Sequence, residues 1–339
     1  MADKQQLELL KQGVSDWNEW RKNNPEVLVD LEGADLSKYD FIKSYPIGID
    51  FKCANLTRVN LFCTDLDNAN FSEANLTEAN LQGADLEGVD LDEANLSGAN
   101  LSDTNLTNTS FYKANLYKAN FCEAHCWRTN FRKANLVDAQ LNCIDLKEVD
   151  LHGANLSGSV LCGASAENQN LSYVNFSNAD VRNVYFRDAC LQHANLYRAN
   201  LSEADLEGAD FSGANLNEAI FTDSFIDKAN FSNANLSKVN FSDFNLSELY
   251  FNRANLSGAI LARVQAFDTD FTEAVFTGAC IEHWKINRNT VLDNIECDFI
   301  YLEYSDQKRL PHDSARNFEP GEFASFLKKL FSHFDAIFF

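Results

Sequence analysis

The chain has one methionine and four prolines in 339 residues, and its fourteen glycines never stand side by side. Such a composition excludes collagen-like and Pro/Gly-rich low-complexity chains, so any turns must come from a pattern rather than from turn-forming residue types. No run of eighteen apolar residues occurs, which excludes a membrane-spanning helix. The nine cysteines are odd in number and none has a Cys-x-x-Cys partner, which argues against a disulfide framework or a zinc ribbon. They read as buried or half-buried thiols in a reducing cytoplasm. Positive charge is scarce: 28 Lys and Arg face 50 Asp and Glu, leaving a net charge of -22, and the sequence pI is about 4.6. From Val59 to Tyr112 there is no Lys or Arg at all. That balance excludes non-specific attraction to nucleic acid or to an anionic membrane surface. Met1 to Asn24 is charged throughout and holds no signal-peptide core, so the expected location is cytoplasmic.

Chemistry is missing as well. The sequence offers no nucleophile with a base, no paired catalytic carboxylates, no phosphate-cradling glycine loop and no zinc-ligand spacing. Cys122-x-x-His125-Cys126 comes nearest to a metal cluster, but the pattern described next turns Cys126 inward and His125 outward. The expectation is a non-enzyme with no metal and no cofactor.

What the sequence does hold is a period of five. In Ala94-Asn95-Leu96-Ser97-Gly98-Ala99-Asn100-Leu101 the unit A-(N/D)-L-x-x appears twice, and from Leu31 to Ile286 the large apolar residue falls almost always on numbers ending in 1 or 6. The small and large residues of each unit are two apart, which places them on one face of an extended segment. The two residues that follow turn a corner. A chain that turns every five residues winds into a solenoid. A higher period is visible too. Phe51, Phe71, Phe111, Phe131, Phe211, Phe231, Phe251 and Phe271 recur at multiples of twenty, while the column Leu56, Leu76, Leu96, Leu116, Leu136 and Leu156 is nearly all Leu. Twenty residues make four units, so the coil is square. With coils about 4.8 Å apart, some 13 coils give a rod on the order of 60 Å long.

This motif, across about 255 residues, resembles that of the pentapeptide-repeat proteins. The resemblance implies an all-β solenoid, a right-handed quadrilateral β-helix of about 13 coils with short α-helical segments at both ends. Asn and Asp before the large residue fit polar ladders along its length. The run Phe318-Glu319-Pro320-Gly321-Glu322-Phe323 is similar to a tail of cyanobacterial pentapeptide-repeat proteins.

The expected organisation is a capping helix and linker over 1–29, the β-helix over 30–290, a strand and loop cap over 291–321, and an amphipathic helix over 322–339. The first helix, within residues 3–23, sets Leu7, Leu10, Val14 and Trp17 on one face, with Trp17 and Trp20 against the first coil. Residues 42–50 break the motif, but the frame resumes at Phe51 with no residue gained or lost, so they read as a distorted side rather than an insertion. Pro46, Cys126, Ala166 and Ala266 stand where large residues belong and share one side of the square, the least regular one. In the last helix Phe323, Phe326, Leu327, Leu330, Phe331 and Phe334 form one apolar stripe, joined by Ile337 and Phe338. It fits an end cap, a homodimer seam or an interfacial membrane helix.

Two surface features stand out. Asp67 with Glu87 and Glu73 with Glu93 stack at intervals of twenty into an acidic stripe that suits a basic partner. The segment from Phe111 to Lys133 reverses the sign and interleaves aromatics with cations: Tyr112, Lys113, Tyr117, Lys118, Trp127, Arg128, Arg132 and Lys133. Of these, exposed Tyr, Trp and Arg are the residue types that dominate binding energy at interfaces. A weaker group of the same kind runs from Arg182 through Tyr185, Arg187 and His193 to Tyr197 and Arg198. The leading expectation is a non-enzymatic scaffold or regulator that meets an unidentified protein partner, without direct nucleic-acid or membrane binding; a homodimer through the C-terminal helix is one of the three readings of that helix. The alternative implied by the resemblance is an acidic DNA mimic that binds a type II topoisomerase (gyrase), as in the fluoroquinolone-resistance branch. The chain departs from that branch in its length, its lack of clear projecting loops and its basic segment.

Overall fold

The computed structural model describes residues 2–37, 48–303, 308–331 and 336–338. The chain divides into two compact units, 1–170 and 171–339. In both, the outward residue of each repeat pairs in parallel with the residue twenty positions on, as in Asn75↔Asn95 and Asn95↔Asn115 of unit 1 and Asn195↔Asn215 and Asn215↔Asn235 of unit 2. Four repeats therefore make a turn. We number the sides by their large residues: first (51, 71, 91), second (56, 76, 96), third (61, 81, 101) and fourth (66, 86, 106).

In a regular repeat the backbone N–H groups find partners, as a packed solenoid requires. For the repeat at Leu56, the Leu56 N–H donates to the Asn75 carbonyl (2.7 Å), the Arg58 N–H to Thr77 (2.8 Å) and the Val59 N–H back to Leu56 (3.0 Å). The Asn60 N–H reaches back to Ala34 (2.9 Å). The Thr57 N–H alone has no backbone acceptor and donates to the Asn55 side-chain oxygen (3.3 Å). That bond explains the Asn or Asp before the large residue: a short side chain with an oxygen caps the corner. The same side chains hydrogen-bond from coil to coil. The Asn115 amide donates to Asn95 (2.9 Å) and accepts from Asn135 (2.9 Å). Each corner holds its third residue in the left-handed region, as in Cys53 (φ 56), Arg58 (φ 55) and Lys113 (φ 58), as a type II turn demands. For non-glycine residues that costs roughly 1–2 kcal/mol. Burying a large side chain returns about 1.5–3 kcal/mol, yet the corners after the small Ala166 and Ala266 keep the same conformation (Asn168 φ 58, Asp268 φ 57), so the burial within one repeat does not by itself set its corner.

The columns pack as the period of twenty predicts. Phe111 and Phe131 stack with centroids 5.0 Å apart and planes 6° apart, and in unit 2 Phe211, Phe231 and Phe251 stack at 5.3 and 5.1 Å.

Departures from the sequence-based expectations lie at the ends. The N-terminal helix is two, α1 (Lys4–Leu10) and α2 (Val14–Asn23). Gly13 separates them at φ 128, a conformation open to glycine because it lacks Cβ. Asp3 caps α1 by accepting from the Gln5 and Gln6 N–H groups. Leu10, Val14 and Trp17 are buried; the Trp17 ring lies 5.7 Å from Phe51 and its indole N–H donates to the Asp50 carbonyl (2.8 Å).

The expectation of no inserted residue before Phe51 is corrected by the register. Asp30 pairs with Asn55 and Asp35 with Asn60, twenty-five positions on, while Asp50 pairs with Asn70, twenty on. This turn holds five residues more than the others, one whole repeat length, so the count by fives passes over it unchanged. Pro46 lies outside the described residues.

At the other end the coils continue past residue 290. Asp270 pairs with Val291, Val275 with Glu296 and Cys280 with Tyr301, each twenty-one positions on, so one extra residue enters near β1 (Lys285–Asn287). Beyond lie β2 (Ile300–Tyr301) and β3 (Arg309–Leu310), an antiparallel pair. The expected helix 322–339 is shorter: α3 spans Glu322–Phe331, and β4 (Ala336–Phe338) pairs antiparallel with β1. There the backbone groups of β1, at the open edge of the last coil, take strand partners instead of a further helical turn.

Candidate functional site

Corners decide which side chains reach a partner. The two residues after each large one stand at a corner and point outward, and the outward residue before it stands on the flat side. Tyr112, Lys113, Arg132 and Lys133 share the corner after the first side, one coil apart. Trp127 and Arg128 occupy the corner before that side. These six flank the Asn130 strip of unit 1 and form one surface. Tyr117 and Lys118 stand a corner further on, beyond the second side and diagonal to Trp127, so the eight residues do not form a single patch.

Within the six-residue surface the cations lie against rings or acids. The Arg128 guanidinium lies 4.1 Å from the Trp127 ring centroid, and the Lys113 and Lys133 ammonium groups lie 5.1 and 5.8 Å from that of Tyr112. Lys113 pairs with Glu93 (2.7 Å), Arg128 with Glu148 (3.0 Å) and Arg132 with Asp150 (3.2 Å). The bond to Glu93 raises the Lys113 pKa. Trp127 is 45% exposed. Beside it a groove of about 510 Å³ runs past His125, Cys126, Asp145 and Lys147. Lys118, whose pKa is raised by its bond to Tyr117, sits 5.0 Å from that ring.

The acidic stripe splits in two. Glu73 pairs with Lys52 (3.1 Å) and Glu93 with Lys113, so cations from neighbouring coils close that column at both ends. Asp67 and Glu87 stack at another corner, after the fourth side. There burial, Glu87 and Asp85 push the Asp67 carboxyl up.

On the fourth side Cys126, Ala166 and Ala266 are all buried. Burial pushes the Cys126 thiol to about 12, while His125 is exposed. No group of three or more His, Cys, Asp or Glu side chains is placed to hold a metal among the described residues. The cysteine expectation needs correction: Cys53, Cys63 and Cys143 are exposed, because they stand at left-handed corner positions.

In α3, Phe323 and Leu327 are buried, with Phe323 6.4 Å from Phe276 and 5.3 Å from Phe318. Phe326 is 36% exposed. Leu330 and Phe331 belong to the helix, and Phe334 lies outside the described residues. Among the described residues no helix is long and apolar enough to cross a membrane.

Sequence reasoning missed the most exposed large apolar side chains of unit 2 on the flat sides. Ile220, Phe225 and Tyr250 occupy outward positions where Asn or Asp usually caps the corner. Tyr185, singled out only within a weaker group, does the same. Reading the outward column by twenties, as was done for the inward ones, would have found them.

The family model for pentapeptide repeats matches in eight copies between residues 54 and 283, more than half of the chain. Among solved structures, the chain is similar to HetL, a pentapeptide repeat protein involved in heterocyst differentiation regulation from the cyanobacterium Nostoc sp. strain PCC 7120. The identity is 27% over 69% of this chain and 89% of that one, with a TM-score of 0.23. It is also similar to the pentapeptide repeat protein Rfr23 from the cyanobacterium Cyanothece 51142, at 27% identity over 44% of this chain and 97% of that one (TM-score 0.15). Full-length QnrB1, a plasmid-mediated fluoroquinolone resistance protein, matches at 15% identity over 80% and 92% of the two chains (TM-score 0.17). Among curated proteins none matches the chain.

Proposed function

The chain belongs to the pentapeptide-repeat family, whose fold is a right-handed quadrilateral β-helix, and from that premise we propose that it acts without catalysis, as a scaffold or regulator that binds another protein. The observation that carries this reading is the group around Trp127 in unit 1. An exposed indole, a guanidinium stacked on it and a second aromatic–cation pair at the next corner converge on one strip of the coil. Tyr, Trp and Arg on a preorganised frame bind with little loss of conformational freedom. A DNA mimic of the topoisomerase-binding kind ranks second. It needs an unbroken acidic surface, whereas Lys52, Arg58 and Lys113 pair with Glu73, Glu78 and Glu93 on either side of the cation-free stretch.

Capture from native lysate with intact protein and with Trp127→Ala, Arg132→Glu is the deciding experiment. Both positions point outward, so the variant should keep its melting temperature within a few degrees and lose the partner, which mass spectrometry then identifies. Leu96→Asp, at a buried position, is the unfolding control. A partner retained by the double variant would remove this surface from the reading, and topoisomerase subunits retained by both proteins would put the DNA mimic first.

A further inference from the structure

The fourth side of unit 2 departs from the repeat in a way that its own frame does not require. Its outward residues run Tyr185, Asp205, Phe225, Asn245, Gln265. Where this position holds an Asn or Asp, the side-chain oxygen caps the corner, as Asp205 does for the Glu207 N–H (3.2 Å) and Asn200 for the Ser202 N–H (3.1 Å). A phenyl ring has no acceptor, and the only oxygen of a tyrosine lies at the far end of its ring. Both rings also stand in water, Phe225 65% and Tyr185 49% exposed.

Their placement is regular. Tyr185 pairs with Asp205 and Asp205 with Phe225, which sets the two rings two coils apart, about 9.6 Å. Asp205, held by Arg187, stands between the two rings, and Phe244 of the next coil is half-buried with its ring 5.6 Å from the core Phe241. Carboxylates line both edges: Glu203 and Asp223 at the corner before this side, Asp188 and Asp227 at the corner after it, all exposed. The nearby cations are engaged with acids. Arg187 holds Asp205 and Glu207, Lys228 holds Glu207, and Arg263 holds Asp243.

We propose that this side of unit 2 docks a basic amphipathic helix of a partner protein. Two exposed rings set between edges that carry carboxylates are complementary to spaced apolar anchors flanked by rows of Lys or Arg. The spacing fits, since residues i and i+7 of a helix lie about 10.5 Å apart, close to the separation of the two rings. The carboxylate edges repel nucleic acid and anionic lipid. The site goes beyond the reading given for unit 1 and does not rest on it, because the Trp127 group is cationic and takes a partner of the opposite sign.

The test uses the purified full chain and three synthetic fourteen-residue peptides in fluorescence anisotropy. One is a Leu/Lys amphipathic helix, one carries Glu for each Lys, and one keeps the Lys but has Ser for each Leu. The Leu/Lys peptide should bind, and the other two should bind at least tenfold more weakly. Tyr185→Asn with Phe225→Asn should weaken binding of the Leu/Lys peptide at least tenfold. It installs the repeat's own residue, so its melting temperature should be equal or higher. Asp223→Lys with Asp227→Lys, at exposed corners, should weaken binding as well, while Trp127→Ala leaves it unchanged. Equal binding of the Ser/Lys peptide, or full binding by the Asn variant, would overturn the proposal in favour of general attraction to an acidic chain. No binding of the Leu/Lys peptide would overturn it outright.

Discussion

At Asp67 the repeat sets a carboxylate where the coil period works against it. Glu87 stands twenty residues on, Asp85 is close by, and part of the carboxyl is buried; desolvation first, and then these charges, raise its pKa in the folded state. The sign follows from linkage. A carboxyl raised on folding disfavours the native state once ionised, so stability falls as pH rises from the unfolded value, about 3.9, through the higher folded one, and stays lower above it. Asp67→Asn should therefore stabilise the protein at pH 7. Like charges facing each other across strands cost about 0.2–1 kcal/mol, so thermal melts should show a rise of about 1–3 °C. The gain should vanish as both proteins are acidified below about pH 4, and an equal gain at pH 3 would show that charge is not its source. Glu218 runs the other way. Bonds from Lys238 (2.9 Å) and Arg198 (2.6 Å) hold its carboxyl below the usual range, so what it contributes is present above the unfolded pKa and is lost as pH falls. The stacking of Asp67 on Glu87 was legible from a count of twenty. The pairing of Lys113 with Glu93 was legible by the same count, whereas that of Lys52 with Glu73 was not, because the two are twenty-one apart and Lys52 reaches across by side-chain length.

At the scale of elements, inward positions were legible and ends were not. Alternation of small and large residues every five positions fixes which side chains enter the core, and Phe111 on Phe131 follows from it. The same count passes over an insertion whose length is a multiple of five, which is why the twenty-five-residue turn before Asn55 escaped notice. Helix boundaries failed for another reason: apolar spacing continues across Lys11–Gly13 and across 332–338, but Gly13 opens the backbone in one case and pairing with β1 takes the chain in the other. These contacts bear on the C-terminal helix. Phe323 and Leu327 are buried within unit 2, so removal of residues 322–339 should uncover the end of that unit, with about 2–5 kcal/mol lost for each buried large side chain. A lower melting temperature with unchanged mass in sedimentation would assign the helix to capping. A halved mass would assign it to pairing of two chains.

The whole molecule is bounded by charge and by neighbour-only cooperation. A net charge of -22 keeps chains apart in solution, and this was plain from composition, although composition could not place the scarce cations. In a solenoid each coil bonds to the coil before and the coil after, so destabilisation spreads by neighbours rather than through a shared centre. Trp17 tests this. It seals the first coils of unit 1 by packing on Phe51 and bonding the Asp50 carbonyl, and loss of a buried Trp costs about 3–5 kcal/mol. Trp17→Ala should speed hydrogen exchange at the amides of Phe51, Asn55 and Asn70, whose bonds join the first coils. Exchange at Phe211, Phe231 and Phe251, deep in the stacked column of unit 2, should keep its wild-type rate in the same experiment. Local opening is the form that low-stability ends take in native-state exchange. Uniform acceleration at all six amides would mean that the chain opens as one body, and the neighbour-only account of its stability would then have to be given up.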